Sequence, residues 1–553
     1  MNKNWFQEGK YKQFESVNLP DRTWVNKKIT KAPIWCAVDL RDGNQSILIP
    51  MTKDKKIRFF KKLVEIGFKT IEIGFPSASD TEFEFTRMLI EENHIPDDVS
   101  VQVLVQARQH LMDKTFSSLQ GAKNVIIHLY NSTSPAQRRD VFAKSREEII
   151  EIAKSGVQMV IDGAKNFKGN VQLEYSPESF SLTELDFAVE ISNAVIDLWN
   201  PKERGKMILN LPSTVECATP NVYADQIEFM CRNIHQRENV LVSLHTHNDR
   251  GTGIAATELG LLAGADRVEG TLFGNGERTG NADILTIAMN MFSQGINPEL
   301  DFSDVDSICK IYKESTNMPI YERQPYAGDL VFTAFSGSHQ DAIAKGMKLR
   351  KHENRVLWDV PYLPIDPRDV GRDYKEIIRI NSQSGKGGAT FILENHGGFN
   401  IPKAMQVEIG RVMQKETDTL KRELSADEIV AIFKKEFVNR EDKIELLGMT
   451  PKRDKKDGET TLTTNLKING EEVAYTQQGD GALDALSKIL DKHGIVFHLG
   501  TYDEHAIGDG TDAAAAAYIC IETKNGAYFG VGIDTDIAWA SAKALVSAVN
   551  RAF

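Results

Sequence analysis

The 553-residue chain lacks the features typical of membrane-spanning, disulfide-rich or nucleic-acid-binding proteins. No stretch approaches the roughly 18 consecutive apolar residues of a membrane-spanning helix, and the polar N-terminus lacks the apolar segment of a secretory signal. The five cysteines show no paired spacing, which indicates reduced thiols. The net charge is -12 with both signs interspersed, which argues against nucleic-acid binding. We therefore expect a cytoplasmic protein without a membrane or nucleic-acid partner.

The sequence does contain a repeated alternation of short apolar runs with longer amphipathic segments. Eight runs, the first IWCAVDL at 34–40 and the last RVEGTLF at 267–273, are each followed by apolar residues at three- and four-residue spacing. This count predicts an α/β fold, a (β/α)8 TIM barrel, over residues 31–308. A doubly wound open sheet is the competing prediction.

The segments on either side of the barrel differ from it in pattern. Residues 1–30 are polar and predict an N-terminal arm over the barrel or a partner subunit. Residues 309–438 predict mostly helical linker subdomains, with a capping box at Ser425 and Glu428. Residues 439–553 predict a C-terminal α+β regulatory domain of doubled ββα-type units. A charged linker is predicted at 451–460, before the first of these units.

Polar residues cluster where the predicted barrel strands end. In TIM barrels the C-terminal face of the strands holds the active site. Five strand ends that converge on one mouth are a stronger signal than any one motif. They are Arg41-Asp42 (first strand), Glu174 to Glu178 (fifth), Ser213-Thr214 (sixth), His245 to His247 (seventh) and Gly274 to Asn281 (eighth).

Two histidines on the seventh strand suggest a metal site. His245 and His247 are two residues apart on a strand, so both side chains can point at one ion, with Asp42 as a third ligand. The alternative is a pair of histidines hydrogen-bonded inside the barrel. Arg41 beside them is suited to a developing enolate or alkoxide, and its alternative is a structural ion pair with Glu174 or Glu178.

Two glycine-rich runs could bind phosphate or could be plain turns. GNGERTGN at 274–281 precedes a predicted helix, where backbone N–H groups can approach an anion. A plain turn is its alternative. SGKGG at 384–388 lacks P-loop spacing and is predicted to be a turn.

These motifs resemble a known family. LRDGNQSILIPMTKDKK (40–56) and VSLHTHNDRGTGIA (242–255) resemble the two motifs of the α-isopropylmalate synthase and homocitrate synthase family. GDGTDAAAA (508–516) resembles the leucine-sensing domain of the longer type found in fungi and actinobacteria. The resemblance covers nearly the whole chain beyond the arm, and further similar segments are 174–178, 210–216, 274–281, 336–343 and 360–374.

The resemblance implies a metal-dependent Claisen-type condensation of acetyl-CoA with a 2-oxo acid, followed by thioester hydrolysis. Single-domain relatives carry arginine where this chain has Glu174, and a glutamate there would repel a second substrate carboxylate. This favours 2-oxoisovalerate, giving 2-isopropylmalate and CoA at the first committed step of leucine biosynthesis, with leucine as feedback inhibitor. The alternatives are a citramalate- or homocitrate-type synthase, a lyase of the same barrel superfamily, and a non-catalytic metal- and amino-acid-binding sensor.

Carried over position by position, the resemblance also implies the site residues. His339 and Tyr374 lie outside the barrel, so they would reach the site either from a partner chain or by folding back of the same chain. In the family that the chain resembles the partner subunit supplies them, which implies a homodimer. The metal is expected to be Mg2+, Zn2+ or Mn2+, with K+ as a candidate activator. The expected metal ligands are Asp42, His245, His247 and Asn281, and the expected catalytic residues are Arg41, Glu178, His339 and Tyr374. The expected contacts are Gln45, Glu174, Ser176 and Thr214 for the 2-oxo acid, Gly274, Asn275, Gly276 and Glu277 for CoA, and Gly508, Gly510, Asp512 and Ala513 for leucine.

Overall fold

The computed structural model describes residues 9–334, 336–372, 385–420, 422, 424–453, 458–507 and 513–553. They fall into two compact units. The first unit contains the residues up to Val331 together with Pro367–Arg372, and the second contains Phe332–Asp366 and the residues from Asp373 onward.

The first unit is built on a closed barrel of eight parallel strands in sequential order. Pairing of the first strand with the eighth closes the sheet, which confirms the predicted barrel and shows that the open-sheet alternative is wrong. The strands are β1 (Ile34–Ala37), β2 (Thr70–Gly74), β3 (Ser100–Gln106), β4 (Asn124–Ser132), β5 (Asn170–Glu178), β6 (Met207–Ser213), β7 (Val240–Thr246) and β8 (Arg267–Gly270).

Helices that connect or follow these strands complete the first unit. Their ends follow from local sequence: Ser145 and Glu148 form a capping box at the fourth helix, and Gly67 ends the first helix in the left-handed conformation. The helices are α1 (Lys53–Ile66), α2 (Asp80–Glu91), α3 (Gln109–Leu119), α4 (Arg146–Lys165), α5 (Leu185–Trp199), α6 (Pro201–Arg204), α7 (Pro220–Asn233), α8 (Gly253–Leu262), α9 (Ile284–Ser293) and α10 (Val305–Thr316).

The end of the N-terminal arm is fixed to α7. Arg22 Nε donates to Asp225 Oδ1 at 2.8 Å, and Trp24 Nε1 donates to the same oxygen at 2.7 Å. The backbone N–H of Thr23 donates to both carboxylate oxygens of Glu228, at 2.9 and 3.0 Å. These contacts place residues 22–24 on the barrel domain, one of the two positions that the sequence predicted.

The second unit begins with helices and continues into an α+β module. The helices are α11 (Gly337–Glu353), α12 (Gly385–Asn395), α13 (Gln406–Leu420) and α14 (Ala426–Phe437), the last of which starts with the predicted capping box. The module contains two antiparallel three-stranded sheets, each followed by a helix. These elements are β9 (Ile444–Arg453), β10 (Thr460–Ile468), β11 (Glu471–Gly479) and α15 (Ala482–Lys492), then β12 (His498–Ile507), β13 (Ala514–Thr523), β14 (Gly526–Asp534) and α16 (Ile537–Ala552).

The repeating unit of the module is therefore βββα, whereas the sequence predicted ββα. The missed strand is β9, whose end lies in the stretch expected to be a charged linker. Arg453 is opposite Thr460 in the β9–β10 ladder. Strand pairing uses backbone hydrogen bonds, so an exposed and charged strand end can pair although its sequence has no alternating apolar pattern that would predict a strand.

The strand β13 is buried on both faces. Successive side chains of a strand point in opposite directions, so the two sets of β13 side chains enter two different cores. Ala517, Ile519 and Ile521 lie in the apolar core that contains α15 and α16. Ala516, Tyr518 and Cys520 lie in the core formed with residues of α12, α13 and α14. Among the described residues, no helix combines the length and apolar character needed to cross a bilayer.

Candidate active site

A cavity of about 180 Å3 opens at the C-terminal ends of the barrel strands. The structure brings together there residues from all five strand ends that the sequence singled out. The lining residues are Arg41, Asp42, Gln45, Leu104, His128, Tyr130, Ser176, Glu178, Asn210, Pro212, Thr214, His245, His247, Glu277 and Arg278.

Three buried side chains in this cavity form a cluster that could hold a metal ion. One ligand atom each from Asp42, His245 and His247 lies within 4.8 Å of the others. The Oδ2 atom of Asp42 is 3.7 Å from His245 Nε2 and 3.9 Å from His247 Nε2. The strand β1 ends at Ala37, so Asp42 lies on a π-helical turn, Asp39–Gly43, and not at the strand end that the sequence predicted.

The surroundings of the cluster fit a divalent cation. Glu269 Oε2 accepts a hydrogen bond from His245 Nδ1 at 2.9 Å, which leaves Nε2 of that ring for a ligand. Asn281 Nδ2 donates to Asp42 Oδ2 at 2.7 Å. His247 Nδ1 and Asn281 Oδ1 are buried without a hydrogen-bond partner among the described residues. Two imidazoles and a carboxylate are suitable donors for zinc or manganese.

The pKa values of the three side chains in the cluster are shifted in different directions. Burial alone would raise the pKa of Asp42, but Arg41 and His245 outweigh it and hold that pKa well below its ordinary value. Burial opposes protonation of His245, but hydrogen bonds to Asp42 and Glu269 prevail and raise its pKa to about 9. Burial and the neighbouring His245 lower the pKa of His247 to about 4. Since a ligating imidazole is neutral, binding a metal at neutral pH displaces the proton of His245.

Arg41 is fixed between two carboxylates. Its Nε donates to Glu72 Oε2 at 2.5 Å, and its Nη1 donates to Asp42 Oδ1 at 2.7 Å. The ion pairs with Glu174 or Glu178 that the sequence left open are not among the described contacts of this guanidinium. A cation held this firmly at the cavity wall can stabilise negative charge without first reorganising.

A second buried cluster lies inside the barrel, and sequence reasoning missed it. Glu72, His128 and Glu269 are joined through Gln102, which donates to both glutamates at 3.1 and 2.9 Å. Arg267 Nη1 lies 2.6 Å from Glu269 Oε1. Arg267 supplies the positive charge of this ion-pair network, and the ligand atoms of His128, Glu174 and Glu269 lie within 4.8 Å of one another. The available signal was a polar residue inside an otherwise apolar run, as in TIEIG and RVEG.

Glu174, which the sequence predicted to contact the 2-oxo acid, is not among the residues that line the cavity. This side chain has an exposed fraction of 0%. Arg267 Nη1 lies 3.3 Å from Glu174 Oε2, and His128 Nε2 lies 3.5 Å from Glu174 Oε1. Burial and the neighbouring Glu269 raise the pKa of Glu174, which favours the uncharged form of this side chain.

Other predicted site residues do line the cavity. Ser176 Oγ is 2.7 Å from His128 Nε2 and accepts from Asn210 Nδ2 at 3.0 Å. Glu178 Oε2 accepts from Ser132 Oγ at 2.5 Å. Thr214 also faces the cavity, and Gln45 does so beside the glycine-rich loop.

Only one of the four residues predicted to bind CoA lines the cavity, namely Glu277. The loop that holds them packs tightly, since a Cβ added at Gly276 would lie 2.3 Å from Asn281 Nδ2. Gly274 and Asn275 belong to the same turn. At the start of α9, the carboxylate of Asp283 caps the helix by accepting from Leu285 N at 3.1 Å, where a phosphate was expected.

The remaining predicted residues belong to the second unit. His339 is exposed on α11, and its ring stacks on Tyr362 with centroids 3.9 Å apart. Ala513 is half-buried immediately before β13. Tyr374, Gly508, Gly510 and Asp512 lie outside the described residues.

Comparison with known proteins links these features. Residues 32–311 match the family described as HMGL-like, residues 329–394 the alpha-isopropylmalate synthase post-catalytic domain-like family, and residues 423–553 the LeuA allosteric (dimerisation) domain. A 2-isopropylmalate synthase of Acetoanaerobium sticklandii is 54% identical over 98% of this chain and 96% of that protein. Proteins of the same description from Pseudomonas savastanoi pv. phaseolicola and Clostridium acetobutylicum are 53% and 52% identical, each over 98% of this chain and over 97% and 99% of theirs.

Proposed function

The chain belongs to the 2-isopropylmalate synthase family and is an acyltransferase, and we propose that it joins the acetyl group of acetyl-CoA to 2-oxoisovalerate, releasing 2-isopropylmalate and CoA. The observation that carries this proposal is the cluster of Asp42, His245 and His247 beside Arg41 in one small cavity. A citramalate- or homocitrate-type reaction is the alternative that a panel of 2-oxo acids separates.

The residues of the cavity divide the work of the reaction. A divalent cation, Mg2+, Mn2+ or Zn2+, would act on the 2-oxo acid as Lewis acid and template. Thr214 would hold the substrate carboxylate, and Leu104 with Pro212 offers an apolar wall for a branched alkyl group. The methyl group of acetyl-CoA loses a proton, and the resulting enolate carbon bonds to the keto carbon. As this bond forms, Arg41, held in place by Glu72, stabilises the negative charge on the former keto oxygen.

Thioester hydrolysis needs an activated water. Glu178 faces the cavity and can accept a proton there. We assign His339 as its partner in this step and Tyr374 as a further contributor, both supplied by the second subunit of a homodimer. The identity of residues 423–553 as an allosteric (dimerisation) domain supports the dimer.

Regulation by leucine rests on the same domain match. We place the leucine site near Gly508, Gly510, Asp512 and Ala513, and feedback inhibition follows from it. The five free cysteines support a cytoplasmic location. Activation by K+ stays a prediction.

One assay tests the proposed reaction. The protein is stripped of metal with a chelator, and CoA release from acetyl-CoA is followed with a thiol reagent while 2-oxo acid and metal are added in turn. We expect release only when both are present, fastest with 2-oxoisovalerate and slower with pyruvate or 2-oxoglutarate. Release without any 2-oxo acid, or a preference for 2-oxoglutarate, would contradict the proposal. Calorimetry with leucine, using valine and isoleucine as controls, tests the regulatory part.

A further inference from the structure

Arg278 connects two loops at the mouth of the barrel. Its Nε donates to Asp249 Oδ1 at 2.6 Å, and its Nη2 donates to the backbone oxygen of Thr214 at 2.5 Å and to Asp249 Oδ2 at 3.2 Å. Thr214 follows β6, Asp249 follows β7, and Arg278 itself follows β8. The guanidinium therefore joins the loops after three consecutive strands.

The connection continues on both sides of Arg278. Asp249 Oδ2 also accepts from the backbone N–H of Glu216, in the loop of Thr214, at 3.0 Å. The preceding residue, Glu277, accepts from Gln45 Nε2 at 2.8 Å, in the loop after β1. Residues 277 and 278 thus reach opposite sides of the mouth. The backbone of Arg278 has a φ of 58°, which is uncommon for a residue with a Cβ and requires local contacts to hold it.

Arg278 lines the cavity, and two of the three nitrogens of its guanidinium donate hydrogen bonds to the protein. Nε and Nη2 are committed to Asp249 and Thr214, and Nη1 lies 4.0 Å from Glu277 Oε2. Its neighbour Thr214 is fixed a second time, because its Oγ1 accepts from Ser179 N at 3.0 Å. The position of Thr214 at the cavity wall thus depends on contacts from β5 and β8 loops.

We propose that Arg278 is a positioning residue that holds Thr214 in place to receive the carboxylate of the 2-oxo acid. This inference rests on the role proposed above for Thr214. It gives residue 278 a role separate from the predicted contacts of Gly274, Asn275, Gly276 and Glu277 with CoA: residue 278 acts on the affinity for the 2-oxo acid through the β6 loop. Loss of the guanidinium frees that loop, so the carboxylate site is no longer formed before the substrate binds.

The test compares Michaelis parameters of substituted enzymes at saturating metal. Arg278→Ala is expected to raise the KM for 2-oxoisovalerate about tenfold, the scale of one lost charge-assisted hydrogen bond, with little change in kcat or in the KM for acetyl-CoA. Arg278→Lys keeps the charge without the fork and is expected to lie between Ala and wild type. Arg250→Ala is the matched control, because Arg250 is an exposed neighbour whose side chain has no hydrogen bond or ion pair among the described residues.

A double substitution separates positioning from a general structural effect. If Arg278 acts through Thr214, then Arg278→Ala added to Thr214→Val should raise the KM for 2-oxoisovalerate no further than Thr214→Val alone. Additive effects, a larger rise in the KM for acetyl-CoA, or an unchanged KM in Arg278→Ala would each overturn the inference. If Arg278→Ala does not fold, Arg278→Lys supplies the same comparison. A wild-type enzyme inactive on 2-oxoisovalerate would instead refute the proposed function.

Discussion

The interior of the barrel and the interior of the C-terminal module are built from different side chains. Beneath the cavity the barrel buries ion-paired charged side chains, among them Glu72, Glu269 and Arg267. Within the described part of residues 439–553, the one charged side chain of comparable burial is Arg551, which pairs with Glu408 at 2.7 Å. The buried polar residues there are uncharged: Thr460, Thr464, Ser541, Ser547 and Asn550. The module instead closes around alanine, leucine, isoleucine and valine.

This difference separates chemistry from packing. Buried charges are costly unless they are paired, so their concentration at one end of the barrel identifies the site where the protein needs fixed charge. The module contributes shape and close contact between helix and sheet. Substitutions in the barrel interior should therefore change activity more than folding, and substitutions in the module should do the reverse.

The largest expected effect is loss of a metal ligand. His247→Ala removes one of three donors, so metal-dependent CoA release should fall about a thousandfold or more. The thermal midpoint should stay near that of the wild type, because the ring makes no described hydrogen bond through Nδ1. Measured activity within tenfold of wild type at saturating metal would contradict the assignment.

The second effect belongs to the module. A Cβ at Gly532 would lie 1.8 Å from Ala540 O and 2.4 Å from Ala544 N, both in the backbone of α16. Gly532→Ala should therefore lower the free energy of unfolding by about 3 kcal/mol or more. Calorimetry or denaturant titration measures the loss.

Gly481→Ala is the matched control for that substitution, since an added Cβ there meets nothing within 4 Å. At a temperature where the Gly532→Ala variant remains folded, the kcat of that variant should be close to wild type, while any response of its activity to leucine is lost. If Gly532→Ala were as stable as the wild type, whether or not its kcat had fallen, the contrast between the two regions would be wrong.

A smaller effect, on metal affinity, is expected from a residue that contacts one of the proposed ligands. Glu269→Gln keeps the shape of the side chain but removes the charge that orients His245 and pairs with Arg267. Metal affinity should fall about 10- to 100-fold, as measured by titrating metal into chelator-treated protein. Glu445→Gln, which breaks a half-exposed ion pair with Lys467 in the module, is the control and should leave metal affinity unchanged.

The smallest effect is a pH dependence of the metal-free protein. The pKa of His245 is raised to about 9 in the folded state, against roughly 6.5 in an unfolded chain. The stability that its protonation provides is complete below pH 6.5 and is lost as the pH rises to 9. The thermal midpoint of chelator-treated protein should therefore decrease by a few degrees across that window.

Bound metal supplies the control for this pH dependence. A ligating His245 is already neutral, so the metal-loaded protein should show a much flatter profile between pH 6.5 and 9. Equal slopes with and without metal would show that His245 is not the group responsible.

Much of the barrel and its metal cluster could be predicted from the sequence. The alternation of apolar runs and amphipathic helices reports a regular fold through its period, and two histidines in register on a strand must share a side. The position of Asp42 on a π-helical turn could not be predicted, because the end of β1 is decided by contacts with β2 and β8. The position of Glu174 outside the cavity lining could not be predicted either, because it depends on contacts with Arg267 and His128 on other strands.

The class of fold, the cluster of Asp42, His245 and His247 and the set of strand ends that meet at the mouth follow from the sequence alone, since these depend on local periodicity and on residue type. Tertiary structure alone decided which charges are paired. Arg41 lies against Glu72, Glu269 orients His245, and Arg278 joins the loops of Thr214 and Asp249. Each of these pairs spans at least 24 residues along the chain, and burial makes their geometry decisive because charges removed from water are stable only beside a fitted partner.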